Sequence, residues 1–141
     1  MPIVFLINIV IVAIVVTIHY WALYQLTLLL PKIRAQHHFR IVVGVFGALL
    51  AHMAEIWVFA AAYYFISRTG DLGSLAGNFD GSLFDCIYFS FSTYTTVGFG
   101  DIYPEGFLRT TTGVEGLTGL VLITWTASFL FLEMQRNWKS T

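Results

Sequence analysis

The sequence predicts an all-α integral membrane protein, in which three helices span the membrane and one shorter helix enters it without crossing. Composition supports this fold class, because the 141 residues are 57% hydrophobic and only 11% charged, whereas an average soluble domain is about 25% charged. Three apolar stretches also exceed the roughly 20 residues that cross the hydrocarbon core of a bilayer, and a fourth stretch is too short to do so.

The first apolar stretch occupies residues 1–30 and contains no Asp, Glu, Lys or Arg. It is too long for the apolar region of a signal peptide, and no basic segment precedes it, so we expect a retained transmembrane helix. It also lacks the regularly spaced arginines of a voltage sensor. The residues expected at the membrane–water interface are His19, Trp21, Tyr24 and Trp138.

A loop at residues 31–40 is expected to lead to a second transmembrane helix at residues 41–66. This helix contains His52 and Glu55, and residues three apart lie on one side of a helix. Ionisable groups at this depth are costly, so they are candidates for a functional role.

Two roles remain open for His52 and Glu55, together with Glu115 of the third stretch. They fit a proton-responsive gate, because ionisable groups inside a membrane often belong to proton pathways. They also fit a structural hydrogen-bond network behind the shorter helix, reaching Ser90, Ser92 or Thr93, because polar side chains often hold membrane helices together.

The shorter helix is predicted at residues 82–95. Residues 67–81 before it are rich in Gly, Asp, Ser and Asn, which is typical of an exposed loop. Ser82 and Asp85 then form a capping pattern in which Ser82 is the N-cap residue. The apolar run at 83–95 has 13 residues, which is too few to cross a bilayer and suits a re-entrant helix.

The heptad at residues 95–101 reads Thr-Thr-Val-Gly-Phe-Gly-Asp. It closely resembles the selectivity filter of potassium channels, whose core is Thr-Val-Gly-Tyr/Phe-Gly-Asp. The following Ile102-Tyr103-Pro104 also matches that family, and the resemblance covers roughly residues 40–136. It implies a pore domain at 41–136 with an outer helix (41–66), an extracellular loop (67–81), a pore helix (82–95), a filter (96–101) and an inner helix (107–134), followed by a cytoplasmic tail (135–141).

The resemblance implies that backbone carbonyls of the filter replace the water around K⁺. Gly98 and Gly100 can adopt positive φ at little cost and so turn their carbonyls inward. The Thr96 hydroxyl would add an oxygen at the inner end, while Val97 and Phe99 would point away from the pore axis and pack against its wall. The residues expected to line the filter are Thr96, Val97, Gly98, Phe99 and Gly100, with K⁺ bound at the first four. K⁺ would be the permeant ion, so neither a cofactor nor enzyme activity is expected.

Four residues are expected to support the filter. Some two-helix potassium channels have Trp-Trp and a Glu where this chain has Tyr88, Phe89 and Ser92. Since Phe89 and Phe99 lack the groups of the usual Trp–Tyr hydrogen bond, the filter loses one polar brace. The Tyr88 hydroxyl is instead expected to bond Asp101. The supporting residues are Tyr88, Ser92, Thr95 and Asp101.

Glycines recur at positions 113, 116 and 119 of the third transmembrane stretch. Gly119 aligns near the hinge glycine of many potassium channels. The same spacing also suits close helix packing, since small residues let backbones approach. Both roles stay open.

Positive charges predict the orientation of the chain. The loop after the first helix carries Lys32, Arg34 and Arg40, and the C-terminus carries Arg136 and Lys139. Such segments stay in the cytoplasm, which leaves the N-terminus outside. In the resembling family the Thr end of the filter faces the cytoplasm, and this requires the same topology.

The sequence therefore predicts a potassium-selective channel subunit of the cell membrane. One filter strand cannot enclose an ion, so a homotetramer is expected, with the lipid bilayer and K⁺ as its other partners. No basic run indicates nucleic acid. A poorly selective cation channel and a non-conducting sensor or partner subunit remain alternatives. A potassium-transporter subunit is disfavoured, because such subunits typically carry four divergent pore loops in one chain.

Overall fold

The computed structural model describes residues 2–33, 37–70 and 72–138. Three long helices dominate it, and all three are long and apolar enough to cross a membrane. These helices are α1 (Pro2–Leu29), α2 (His37–Thr69) and α4 (Leu108–Trp138), and the shorter helix is α3 (Leu83–Tyr94). The all-α membrane fold is thereby confirmed.

The second helix is longer than expected at both of its ends. It begins at His37 and ends at Thr69, so residues 37–40, expected in the loop 31–40, are helical. A short 3₁₀ turn, Leu30–Lys32, follows α1, which shortens that loop further. No proline or glycine interrupts residues 37–43, and Gly70, with φ +71°, stands where helices commonly end.

The N-terminus of α3 forms as the capping pattern predicts. The Ser82 hydroxyl accepts a hydrogen bond from the Asp85 amide at 3.1 Å. The Asp85 carboxylate accepts instead from the Asp80 amide at 2.8 Å. Donation from the Ser82 hydroxyl and backbone amide holds the pKa of Asp80 below its usual value. The turn before α3 is thus closed by two carboxylates rather than by a reciprocal capping box.

Two short strands, one before α3 and one after the filter heptad, form an antiparallel pair that the sequence did not predict. Strand β1 (Leu75–Gly77) pairs with β2 (Ile102–Pro104), with Gly77 opposite Ile102. The Asn78 amide donates to the Asp101 carbonyl at 2.8 Å, beside the end of the filter heptad. Part of the loop at 67–81 is therefore ordered against the segment that follows the heptad.

The helices share one main buried core. Helix α2 contacts each of the other three helices, and α1 and α4 also contact each other. Fully buried side chains come from all four helices: Val15, Phe59, Tyr63, Cys86, Leu108 and Leu122. This packing holds α3 against α2 and α4 and fixes the start of the strand that follows it.

Candidate ion-conduction site

Residues 96–101 connect α3 to β2 and are called the strand after α3 in this section. The sign of φ alternates along them. Thr96, Gly98 and Gly100 have φ values of +60°, +59° and +81°, whereas Val97 and Phe99 do not have positive φ. Thr96 is the one non-glycine residue with positive φ among the described residues. Such a conformation costs of order 1–3 kcal/mol in a residue with a Cβ and tends to occur at functional sites.

Two successive amides of this strand face α3. Gly98 N–H donates to the Ser92 carbonyl at 3.1 Å, and Phe99 N–H donates to the Ser92 hydroxyl at 3.1 Å. In a planar trans peptide the N–H and C=O groups point in opposite directions. The carbonyls of Val97 and Gly98 therefore both point away from α3, whereas those of an ordinary strand would alternate.

The aromatic rings beside the strand stack. Tyr88 and Phe99 lie with ring centroids 6.1 Å apart and an interplanar angle of 7°. The Tyr88 hydroxyl donates to Asp101 Oδ2 at 3.0 Å, which is the expected bond. Within the single chain, Val97 is 57% and Phe99 67% exposed, so their expected contacts with a pore wall are mostly not made by their own chain.

Thr95, which was expected to support the filter, makes its hydroxyl hydrogen bond within α3. The hydroxyl donates back to the Phe91 carbonyl at 2.7 Å, and the Thr95 amide donates to the same carbonyl at 3.1 Å. The residue thereby closes the end of α3, because the last carbonyls of a helix lack partners within it. These two bonds fix the point at which the chain leaves α3.

A cluster of mostly buried polar side chains, here called the Glu55 cluster, lies behind the strand and has members from all four helices. His19 Nδ1 lies 2.8 Å from Glu55 Oε1, and His52 Nδ1 lies 3.0 Å from Glu55 Oε2. The Tyr94 hydroxyl donates to Glu55 Oε2, and Thr126 Oγ1 lies 2.9 Å from His52 Nε2. Because Tyr94 immediately precedes Thr95, the cluster lies next to the N-terminal end of the strand.

His19 was expected at the membrane interface, and this is wrong. Its side chain is fully buried, beside Glu55 and the Trp125 ring. The misleading signal was its nearness to Trp21 and Tyr24, which are exposed as expected. An ionisable residue inside a helix without other charges was the better signal. The side chain of Trp138 lies outside the described residues.

A second buried group, the Glu115 cluster, is separate from the first. Glu115 accepts hydrogen bonds from the Tyr63 and Ser90 hydroxyls, each at 2.5 Å. Ser90 Oγ also lies 2.9 Å from the Ile56 carbonyl oxygen, so the two acceptors share its single hydroxyl proton. The network expected behind α3 thus reaches Ser90, but it runs through Glu115, not through His52 and Glu55.

Gly119 lies against the end of α3. A Cβ atom added at Gly119 would overlap the Tyr94 carbonyl oxygen, whereas one at Gly116 would lie 3.6 Å from the Thr93 carbonyl oxygen. A Cβ at Gly113 would have no atom within 4 Å. Close packing therefore requires glycine at position 119, while the hinge role remains a prediction.

Comparison with known protein families independently supports an ion-conducting site in this chain. A family model described as "Ion channel" matches residues 51–136, which is more than half of the chain. The chain belongs to this ion channel family. The match begins within α2 and includes α3, the strand after it and most of α4, so α1 lies outside it. No curated protein and no solved structure matches this ion channel. The family match and the three long apolar helices together indicate a multi-pass membrane protein that transports ions.

Proposed function

We propose that this ion channel is selective for K⁺ and conducts it passively, through carbonyl oxygens of the filter at residues 96–101. The observation that carries the proposal is the pair of amides that face Ser92, since they direct two successive carbonyls to the same side. Rings of such carbonyls replace the hydration shell of K⁺ in potassium channels. Glycine at positions 98 and 100 permits the positive φ that this geometry needs.

The pore would be formed by four copies of the chain. One strand offers oxygens from one side only, whereas potassium channels surround the ion with four such strands. The exposure of Val97 and Phe99 supports assembly, because large apolar side chains beside a polar strand suit burial against a neighbouring subunit. Helix α2 would be the outer helix, α3 the pore helix and α4 the inner helix.

The proposed orientation places the N-terminus outside and the C-terminus in the cytoplasm. Lys32 ends the short turn after α1, Arg40 lies in the first turn of α2 and Arg136 lies near the end of α4, whereas Arg34 and Lys139 lie outside the described residues. The C-terminal end of α3 would then point toward the inner side of the filter. A helix C-terminus carries partial negative charge, so four such ends favour a cation there.

A poorly selective cation channel is the second candidate, and one observation favours it. Phe89 packs edge-on against Tyr63 with centroids 5.0 Å apart, and it has no group that can hydrogen-bond Phe99. Phe99 is held by stacking on Tyr88 and by the hydrogen bond from its backbone N–H to Ser92. Its side chain therefore gives the filter no polar brace. Weak bracing would let the filter adapt to Na⁺.

Ion flux into liposomes that contain only this protein tests the proposal. We expect K⁺ and Rb⁺ to pass well and Na⁺ poorly. Gly98→Ala should abolish the flux, because a methyl group opposes the positive φ at this position. Gly113→Ala is the matched control, since its added Cβ would have no atom within 4 Å. Equal K⁺ and Na⁺ flux in the parent would favour the poorly selective channel.

A further inference from the structure

We propose that His19, His52 and Glu55 form a binding site for a divalent transition metal ion, and that Zn²⁺ is the ion whose chemistry fits them best. One potential ligand atom from each residue lies within 4.8 Å of the others. Imidazole nitrogen and carboxylate oxygen are ordinary Zn²⁺ ligands, and sites with two histidines and one glutamate bind this ion in enzymes.

The separations of the ligand atoms suit a metal after a small adjustment. The two nitrogen–oxygen distances are 2.8 Å and 3.0 Å. Ligands at about 2.0–2.2 Å from a tetrahedral Zn²⁺ ion lie roughly 3.3–3.5 Å from each other. Each histidine nitrogen faces its own Glu55 oxygen and would move back from it by a few tenths of an ångström as the metal replaces the shared protons. The two nitrogens, which lie within 4.8 Å of each other, would move to the same separation.

The surrounding oxygens complete the coordination chemistry. A metal-bound histidine usually donates its other ring N–H to an oxygen, and Thr126 Oγ1 lies 2.9 Å from His52 Nε2 and 3.5 Å from His19 Nε2. The Tyr94 hydroxyl lies 2.9 Å from His52 Nδ1. It is therefore the nearest candidate for a fourth ligand.

The charge balance of the cluster favours a bound cation. Glu55 is fully buried, and within the described residues its ion-pair partners are the two histidines, with no lysine or arginine. A buried carboxylate in a membrane is costly unless a positive charge accompanies it. With neutral imidazoles the cluster carries one negative charge, which a proton neutralises, whereas a divalent metal ion reverses it to one positive charge unless Tyr94 binds the ion as a phenolate.

An ion can approach the cluster from an open cavity of about 550 Å³, whose lining includes His52, Tyr94 and Thr126. Thr95 lines the same cavity. The cavity therefore extends to the N-terminal end of the filter strand. His52 retains 13% of its side-chain exposure. A metal held there would tie α1 and α2 to Tyr94, the last residue of α3.

The test uses Co²⁺ as a spectroscopic substitute for Zn²⁺. The chain has four histidines, so His37 and His38 are first replaced by Gln to remove the others, and any purification tag is cleaved. The purified protein is stripped with EDTA and titrated with Co²⁺. We expect the intense visible absorption of tetrahedral Co²⁺, saturating at one ion per chain, and its loss when Zn²⁺ is added.

Further variants separate this site from adventitious binding. His19→Gln and His52→Gln in the same background should each weaken Co²⁺ binding at least tenfold, while Ser128→Ala should leave it unchanged. Absence of the absorption band in the His37→Gln/His38→Gln protein would overturn the proposal. Co²⁺ binding that survives the His19→Gln and His52→Gln replacements would also overturn it. Because binding is measured and not conduction, the result is independent of ion selectivity.

Discussion

Ser92 contacts the filter strand through two different atoms. Its carbonyl accepts from Gly98 N–H and its hydroxyl accepts from Phe99 N–H, both at 3.1 Å. Some of the potassium channels that the chain resembles have a carboxylate at this position. The serine side chain in this chain instead accepts a hydrogen bond directly from the backbone of residue 99.

Ser92→Ala should loosen the filter without removing both contacts. The variant loses the bond to Phe99 N–H but keeps the backbone bond to Gly98, and one such bond contributes about 0.5–1.5 kcal/mol. We expect the ratio of K⁺ to Na⁺ flux in liposomes to fall. Ser128→Ala is the control, because among the described residues the Ser128 hydroxyl bonds just the Thr124 carbonyl of its own helix. An unchanged flux ratio in Ser92→Ala would show that its hydroxyl does not hold the filter.

Glu115 should matter through hydrogen bonding. Glu115→Leu removes the acceptor of the Tyr63 and Ser90 hydroxyls, and a buried polar group left unpaired costs about 1–3 kcal/mol. Glu115→Gln keeps one acceptor oxygen and nearly the same shape. We therefore expect a lower thermal midpoint for Leu than for Gln in detergent. Equal midpoints for the two variants would contradict a structural role for this cluster.

The sequence predicted part of these buried clusters at the level of single residues. The three-residue spacing predicted that His52 and Glu55 lie close together, because contacts of this kind depend only on positions within one helix. The partner His19 was missed, because α1 is apolar on all sides and its hydrophobic pattern does not show which side faces the protein. Tyr94 and Thr126 were missed for a related reason, since contacts between helices are not encoded in local spacing.

Among the elements, the long helices and α3 were predictable because length and apolar character define them. The pairing of β1 with β2 was not, because strands of three residues are too short to show an alternating pattern. Its position was nevertheless marked by Gly77, which has φ +92° and where an added Cβ would overlap the Asp101 carbonyl oxygen. Turn-forming composition indicated a loop and hid the pairing within it.

Helix α4 should depend on glycine at one position of its glycine series. Gly119→Ala places a methyl group on the Tyr94 carbonyl, so α3 and α4 must separate. Gly113→Ala meets no atom within 4 Å and serves as the matched control. We expect Gly119→Ala to lower the thermal midpoint of the purified protein clearly more than Gly113→Ala. Equal midpoints would mean that α3 and α4 do not pack this closely.

For the whole molecule, the proposed pore requires four chains. Native mass spectrometry in mild detergent should show an assembly with four times the mass of the chain. Filter strands at residues 96–101 would then meet around one axis, as they do in potassium channels. A dominant dimer would contradict the proposed pore, because two strands leave the ion open on two sides.

The reversal potential of a single reconstituted channel tests the central claim most directly. Purified protein is placed in a planar bilayer with K⁺ on one side, and K⁺ on the other side is replaced stepwise by Na⁺. If carbonyls of the filter select K⁺, the reversal potential follows the potassium equilibrium potential at every step. A reversal potential that stays near zero as Na⁺ replaces K⁺ would contradict potassium selectivity.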